Sequence, residues 1–164
     1  MAFLGPAPLL HSMLRTQQPE SARNLGFDPR NDMDVKEARR SHRTAQFALA
    51  ATTRQALTDA EITIDPTNAE NISVVMNTGG GGMGLAEEGT HLLMSGGPRK
   101  IGPFLLPMMM PNAVACQVSI AIGAKGPVHT SIACASGNYA LLEAMHMLQR
   151  EEAEVILAGG PSLC

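Results

Sequence analysis

Residues 128–137 read VHTSIACASG, and this stretch decides how the rest of the chain is interpreted. Its first six residues alternate in hydropathy as a strand does, and Gly137 completes a tight turn. Residues 138–150 then carry apolar side chains at helical spacing. This strand–turn–helix order predicts an α/β fold in which Cys134 lies between the end of a strand and the start of a helix.

Cys134 is a candidate nucleophile because three features of this arrangement favour thiol chemistry. The turn exposes the sulfur at the strand end, as the nucleophile turn of hydrolases exposes a serine. The helix N-terminus contributes its dipole and unpaired N–H groups, which favour the thiolate. A backbone N–H of the turn can bind an oxyanion. A lone cysteine is more often buried and inert, so the prediction depends on the surrounding elements.

The segments on either side predict further alternation of strands and helices, which is typical of layered α/β folds. The predicted strands cover residues 72–76, 128–133 and 155–158, and the predicted helices cover residues 35–60, 86–94, 112–123 and 138–150. Asp34 and Glu37 have the spacing of a capping box at the start of the first helix. Residues 96–111 contain four prolines and are predicted to form a loop. Residues 1–24 show no periodicity and are predicted to form a loose arm.

A glycine-rich loop, TGGGGMGL, follows the first predicted strand at residues 78–85. It fits the G-x-G-x-x-G pattern, but a dinucleotide site needs an acidic residue about 20 positions later. Residues 89–142 contain no Asp or Glu, and the Lys and Ser/Thr of a phosphate-binding Walker loop are also missing. A structural role is therefore favoured, in which the glycines permit positive φ and close approach of the backbone to a channel.

Composition limits the possible functions. The chain has 164 residues, as expected for one domain, and 45% of them are hydrophobic. The net charge of −3 argues against nucleic-acid binding, and no apolar run is long enough to span a membrane. The three cysteines have no metal-binding spacing, which indicates a reducing compartment, either the cytoplasm or an organelle matrix. Residues 89–142 carry only basic charges, a pattern that suits an acidic partner.

Taken in order, several segments resemble the elongating β-ketoacyl-acyl-carrier-protein synthases of the thiolase superfamily. The resemblance covers roughly residues 24–164. The matching segments are GFD at 26–28, KEARR at 36–40, NTGGGGMGL at 77–85, GGPRKI at 96–101 with PF at 103–104, residues 112–127, ACASG at 133–137 and AGG at 158–160. One of these motifs alone would be weak, whereas the ordered set is specific.

The resemblance implies a decarboxylative Claisen condensation in fatty-acid or polyketide synthesis, with no metal or redox cofactor. It implies that Cys134 accepts an acyl group from an acyl-carrier protein and then passes it to a malonyl unit. Gly79, Gly80, Gly81, Gly82 and Phe104 would border the acyl channel. The partners implied are the acyl-carrier protein and a second copy of the chain in a homodimer. Where relatives often carry a bulky aliphatic residue, Gly80 would widen or lengthen the channel.

The resemblance also implies that the chain is only the amino-terminal half of a thiolase-like fold, with residues 25–164 as a partial synthase domain. The family's first strand and whole second half are expected to be missing, which would leave a large apolar face exposed. The catalytic histidines belong to that second half, and none of the five histidines of this chain matches them. Three hypotheses remain open: a partial condensing enzyme, a non-catalytic dimerisation or carrier-binding module, and a thiol acyltransferase that cannot condense.

Overall fold

In a computed structural model that describes residues 2–4, 27–131 and 133–160, the sheet has four strands, in the spatial order 2–4, 155–159, 72–76 and 128–129. The strands β2 (Ile72–Met76), β3 (Val128–His129) and β4 (Val155–Gly159) run parallel. Strand β2 lies at the centre, where Val74 pairs with both Val128 and Leu157. The carboxyl ends of the three parallel strands therefore meet at one edge of the sheet.

The remaining strand, β1 (Ala2–Leu4), pairs antiparallel with β4, with Ala2 opposite Ala158. The sequence predicts a loose arm over residues 1–24, so a strand here differs from the prediction. A three-residue segment is too short to show a period of two, so its pairing depends on the exposed edge of β4 rather than on a local pattern. The rest of the predicted arm lies outside the described residues.

One face of the sheet is covered by α2 (Arg43–Ala51) and α6 (Ala113–Ile122). Small side chains let these helices approach each other and the sheet closely. The core on this face is formed by Ala45, Ala48, Leu49, Ile72, Val74, Met76, Val114, Ala115, Val118, Ala124 and Leu157. The predicted helix 112–123 is confirmed, and it ends where Gly123 takes the left-handed conformation with φ 78°.

The opposite face is covered by α7 (Ser136–Gln149), which begins two residues before the predicted helix. Its inner face packs Ala140, Ala144 and Met147 against the sheet. Its outer face exposes an apolar stripe, with 51% of Tyr139 and 43% of Leu142 accessible to solvent. The sequence places Leu142 and Met145 on the buried face of this helix, and that prediction is wrong, since 43% of each residue is exposed.

The single helix predicted over residues 35–60 is wrong, because the structure divides this segment. Asp34 caps α1 (Val35–Arg39) by accepting from the Lys36 N–H, as predicted. His42 then caps α2 by accepting from the Thr44 N–H, so a new helix begins there. After α2 the chain widens into a π turn at Thr52–Ala56 before the short α3 (Leu57–Asp59). The hydroxyls of Thr52 and Thr53 donate to carbonyls of the preceding turn, and these hydrogen bonds account for the widening.

The loop predicted over residues 96–111 is also partly wrong. Helix α4 (Met83–Gly96) is longer than predicted at both ends, and a short helix, α5 (Leu105–Met109), lies inside the proline-rich segment. Pro107 is tolerated because the first turn of a helix has no internal acceptors for its N–H groups. Among the described residues, no helix combines the length and the apolar character needed to cross a membrane.

Candidate active site

The strand before Cys134 is shorter than predicted, because hydrogen bonds to side chains replace the backbone hydrogen bonds of a sheet there. Strand β3 ends at His129, whereas the sequence predicted a strand over 128–133. The Thr130 hydroxyl donates to the Met76 carbonyl at 2.9 Å, and the Ser131 N–H donates to the side chain of Asn77 at 2.6 Å. The chain therefore leaves the sheet four residues earlier than predicted and is held there by side-chain hydrogen bonds.

Asn77 connects the two segments on either side of the turn. It directly follows β2 and is only 1% exposed. Its Oδ1 accepts from the Ser131 N–H, and its Nδ2 donates to the Ser136 carbonyl at 3.1 Å. Its own backbone N–H donates to the Gly159 carbonyl at 2.9 Å, continuing the pairing with β4. Through its side chain and its backbone, Asn77 thus joins the end of β4, the segment after β3 and the first residue of α7.

The thiol of Cys134 is exposed, as predicted, in the turn between β3 and α7. Ala133 has a φ of 125°, which is rare for a residue with a side chain. Its N–H donates to the Thr78 carbonyl at 3.2 Å, and its carbonyl accepts from the Ser136 N–H at 3.0 Å. Within the ranges that the structure describes, the Cys134 N–H has no hydrogen-bond acceptor. The thiol therefore lies two residues before α7, beside a free backbone donor.

The cysteine turn is also in close contact with the segment after β4, through Gly137 and Gly160. A methyl group built on Gly160 would lie 2.5 Å from the Cα of Gly137 and 2.9 Å from its nitrogen. These distances are shorter than any ordinary carbon contact, and both atoms belong to the backbone. The segment after β4 therefore reaches the first turn of α7 only because residue 160 is glycine, whereas a methyl group on Gly137 would lie at an ordinary 3.8 Å from the Cα of Gly160.

The glycine loop lies beside the cysteine turn, and Thr78 joins them. The Thr78 N–H donates to the Ser131 carbonyl at 3.1 Å, while its hydroxyl accepts from the Gly81 N–H at 2.9 Å. Gly82 is buried and donates to the Met109 carbonyl at 3.0 Å. Gly79 and Gly80 remain exposed. The structure thus brings the predicted glycines next to the turn that carries the predicted nucleophile.

Phe104 occupies a different environment from the glycines. The guanidinium of Arg40 stacks over its ring at 4.5 Å from the centroid, and 42% of the residue is exposed. This contact joins the start of α5 to the segment between α1 and α2. The role of Phe104 at an acyl channel therefore stays a prediction.

An open cleft of about 280 Å³ lies along the β3 side of the turn. Its lining combines buried strand residues with polar side chains: Val75, Asn77, His129, Thr130, Ser131, Tyr139 and Glu143. Arg150 bonds Glu143 at 3.1 Å at one side of the cleft, and His129 approaches the same carboxylate at 3.8 Å. The hydrogen bond from Arg150 also lowers the pKa of the Glu152 carboxyl. The cleft is therefore bordered by a charged network.

Sequence reasoning missed Asn77, which is the polar residue that organises this site. The available signal was its position: an amide directly after a mostly apolar strand and two residues before four glycines. Such a residue is expected to be buried with the strand end, where an unpaired amide would be costly. Its partners, however, lie 54 and 59 positions away in sequence. No local pattern identifies partners at that distance.

A mixed sheet with helices on both faces, and an exposed thiol between a strand and α7, define a thiolase-like ketosynthase fold. A solved type II polyketide ketosynthase in complex with its acyl-carrier protein superposes with a TM-score of 0.77 at 20% identity, covering 83% of this chain and 39% of that one. A β-ketoacyl synthase structure from Burkholderia phymatum gives a TM-score of 0.71 at 26% identity, covering 82% of this chain and 33% of that one.

The family follows from the sequence comparisons. The model of the β-ketoacyl synthase N-terminal domain matches residues 13–164, and the chain belongs to this family. The 3-oxoacyl-[acyl-carrier-protein] synthase 2 of Staphylococcus aureus is 40% identical over 135 residues, which cover 82% of this chain and 33% of that protein. The corresponding Synechocystis enzyme is 37% identical over 82% of this chain and 32% of its own length. The chain thus spans about a third of the length of these curated relatives.

Proposed function

We propose that Cys134 is the acyl-accepting nucleophile of a 3-oxoacyl-acyl-carrier-protein synthase that acts in fatty-acid or polyketide synthesis. The observation that carries this proposal is the exposed thiol in a turn between a parallel strand and the amino end of α7. A thiol in this position benefits from the helix dipole and lies next to a backbone N–H that donates to none of the described residues. Both features suit attack on a thioester, in which negative charge develops on the carbonyl oxygen.

The proposed reaction has two stages. In the first, the Cys134 thiolate attacks the carbonyl carbon of an acyl thioester, the new C–S bond forms, and the carrier's thiolate leaves. In the second, a malonyl thioester loses CO₂, and the electron pair from the broken C–C bond attacks the acyl carbon on Cys134. The new C–C bond forms as the Cys134 thiolate is released. The turn contributes the nucleophile and an N–H donor, which splits a difficult condensation into two steps.

The proposed substrate carrier is an acyl-carrier protein, which the names of the curated relatives include. The exposed basic side chains of Arg99 and Lys100 support docking of an acidic partner. They lie in a stretch of sequence, residues 89–142, that contains no Asp or Glu. Opposite charges across such a surface accelerate encounter and set its orientation.

Transfer of an acyl group to the protein tests the proposal directly. The full protein is incubated with an acyl-carrier protein loaded with a fatty acyl chain, and the adduct is located by peptide mass spectrometry. The expected result is a thioester on Cys134 and its complete loss in Cys134→Ser. Cys116→Ser is the matched control, because that thiol is only partly exposed and lies in α6, so its loss should leave the adduct intact.

The alternative is a non-catalytic dimerisation or carrier-binding module. A folded protein that binds the loaded carrier but acquires no adduct on Cys134 would favour that alternative. An adduct without any condensation product after addition of malonyl-carrier protein would indicate an acyltransferase that stops after the first stage. Adduct formation followed by release of a 3-oxoacyl product is the outcome that the proposed function requires.

A further inference from the structure

We propose that Asn77 is a positioning residue for Cys134, acting through the backbone of the turn rather than on the substrate. This inference rests on the proposed role of Cys134 as the nucleophile. Asn77 accepts from the Ser131 N–H at 2.6 Å and donates to the Ser136 carbonyl at 3.1 Å. Ser131 comes three residues before the cysteine and Ser136 two residues after it. One side chain therefore spans the base of the turn that carries the thiol.

Asparagine suits this position chemically. The amide presents one acceptor and one donor from a single planar group, and the turn offers one N–H and one carbonyl. An aspartate would place a second acceptor against the Ser136 carbonyl, and an aliphatic residue would leave both backbone groups without a partner. Because Asn77 is 1% exposed, water does not readily replace either bond.

The conformation of the turn explains why these bonds matter for the thiol. Ala133, directly before Cys134, has a φ of 125°, a region that residues with side chains rarely occupy. Such a conformation persists only when the surrounding structure holds it. Asn77 fixes the chain on both sides of Ala133, and the neighbouring Thr78 carbonyl accepts from the Ala133 N–H at 3.2 Å. If the amide is lost, Ala133 can relax, which turns Cys134 and its N–H away from their present direction.

The test compares Asn77→Asp and Asn77→Ser with Asn68→Asp and Asn68→Ser in the full protein. Asn68 is the matched control because its amide also makes two hydrogen bonds to the backbone, to the Asp65 N–H at 2.9 Å and the Thr63 carbonyl at 2.9 Å, far from the cysteine turn. Two rates are measured for each variant: acyl transfer to Cys134 from a loaded carrier, and alkylation of Cys134 by iodoacetamide across a pH series. Alkylation of Cys116 is followed in the same digests as an internal reference.

We expect both Asn77 variants to slow acyl transfer by about tenfold or more, because small misplacement of a reacting group has large effects on rate. The pH profile of Cys134 alkylation should shift, while the alkylation of Cys116 stays unchanged. The Asn68 variants should keep acyl transfer within about twofold of the unsubstituted protein. If Asn77→Asp does not fold, Asn77→Ser retains a small polar group at the site and is interpreted in the same way.

Two outcomes would overturn the inference. The first is a folded Asn77 variant whose acyl transfer and Cys134 pH profile match those of the unsubstituted protein. The second is a parallel rise in alkylation at Cys134 and Cys116, which would show general loosening of the domain instead of positioning. Failure of the proposed function gives a different result. The unsubstituted protein would then accept no acyl group, while iodoacetamide alkylation of Cys134 would still show whether Asn77 affects the turn.

Discussion

The two turns at the carboxyl edge of the sheet are held in different ways. Beyond one hydrogen bond from the Gly81 N–H to the Thr78 hydroxyl, the glycine loop after β2 is fixed by backbone contacts, because Gly82 donates to Met109 and packs against its Cα. The turn after β3 is fixed by a side chain, Asn77, and by the close contact between Gly137 and Gly160. The first arrangement packs the glycine loop against α5, whereas the second holds one residue, Cys134, in a defined orientation.

The difference indicates how each turn responds to substitution. The glycine loop loses packing when a side chain is added to it, but the neighbouring cysteine turn keeps its own hydrogen bonds. A turn held by one buried amide and one glycine pair transmits any shift directly to the residue between them. Substitutions in the glycine loop should therefore change the free energy of unfolding without changing the reactivity of Cys134. Substitutions at the cysteine turn should change both.

The largest effect is expected for Gly160→Ala. The new methyl group would lie 2.5 Å from the Cα of Gly137, so the backbone of α7 or of the segment after β4 must move. We expect the free energy of unfolding to fall by about 1–3 kcal/mol, as for other overpacked sites. Urea unfolding gives the stability, and iodoacetamide labelling should show changed reactivity of Cys134 in the folded variant.

Gly102→Ala is the control for this change, because no atom lies within 4 Å of its added methyl group. Its stability and labelling should match those of the unsubstituted protein. If Gly160→Ala changed stability but left the labelling rate of Cys134 unaltered, the glycine pair would serve packing alone, and the contrast between the turns would be lost.

A smaller effect is expected for Gly82→Ala in the glycine loop. Its methyl group would lie 2.7 Å from the Cα of Met109 and 3.1 Å from the Met108 carbonyl oxygen. We expect a loss of about 1–2 kcal/mol in the free energy of unfolding, because α5 is short and partly exposed and can shift. The alkylation rate of Cys134 should stay unchanged. A large change in that rate would show that the two turns are coupled.

The smallest effect on stability is expected for Gly80→Ile. Gly80 is exposed, and an added methyl group would meet only the flexible side chain of Met83, at 2.9 Å from its sulfur. The free energy of unfolding should change by less than about 0.5 kcal/mol. If the glycine loop borders the acyl channel, the variant should transfer long acyl chains less well than short ones. Competition between carriers loaded with acyl chains of different lengths measures this preference. An unchanged preference would show that Gly80 does not border the acyl channel.

The limits of prediction from sequence follow from the range of the interactions involved. Strand 72–76, helix 112–123 and the thiol-bearing turn were predicted from local periodicity and glycine signals, and the structure confirms them. The division of the segment 35–60 was missed because its cap is His42, whose ring nitrogen is a less common N-cap than a hydroxyl or carboxylate. Strand β1 was missed because its three residues carry no pattern, and it forms only against the edge of β4.

The order and period of nearby residues predicted an α/β domain with Cys134 between a strand and a helix, and the resemblance of its ordered motifs indicated the ketosynthase family. Only the tertiary structure decided how that cysteine is held. The partners of Asn77 and the opposing glycine of Gly137 come from distant segments, and only the parallel pairing of β2 with β3 and β4 brings them together. Hydrogen bonds and steric contacts act over a few ångströms, so their effect on the turn exists only once the sheet has formed.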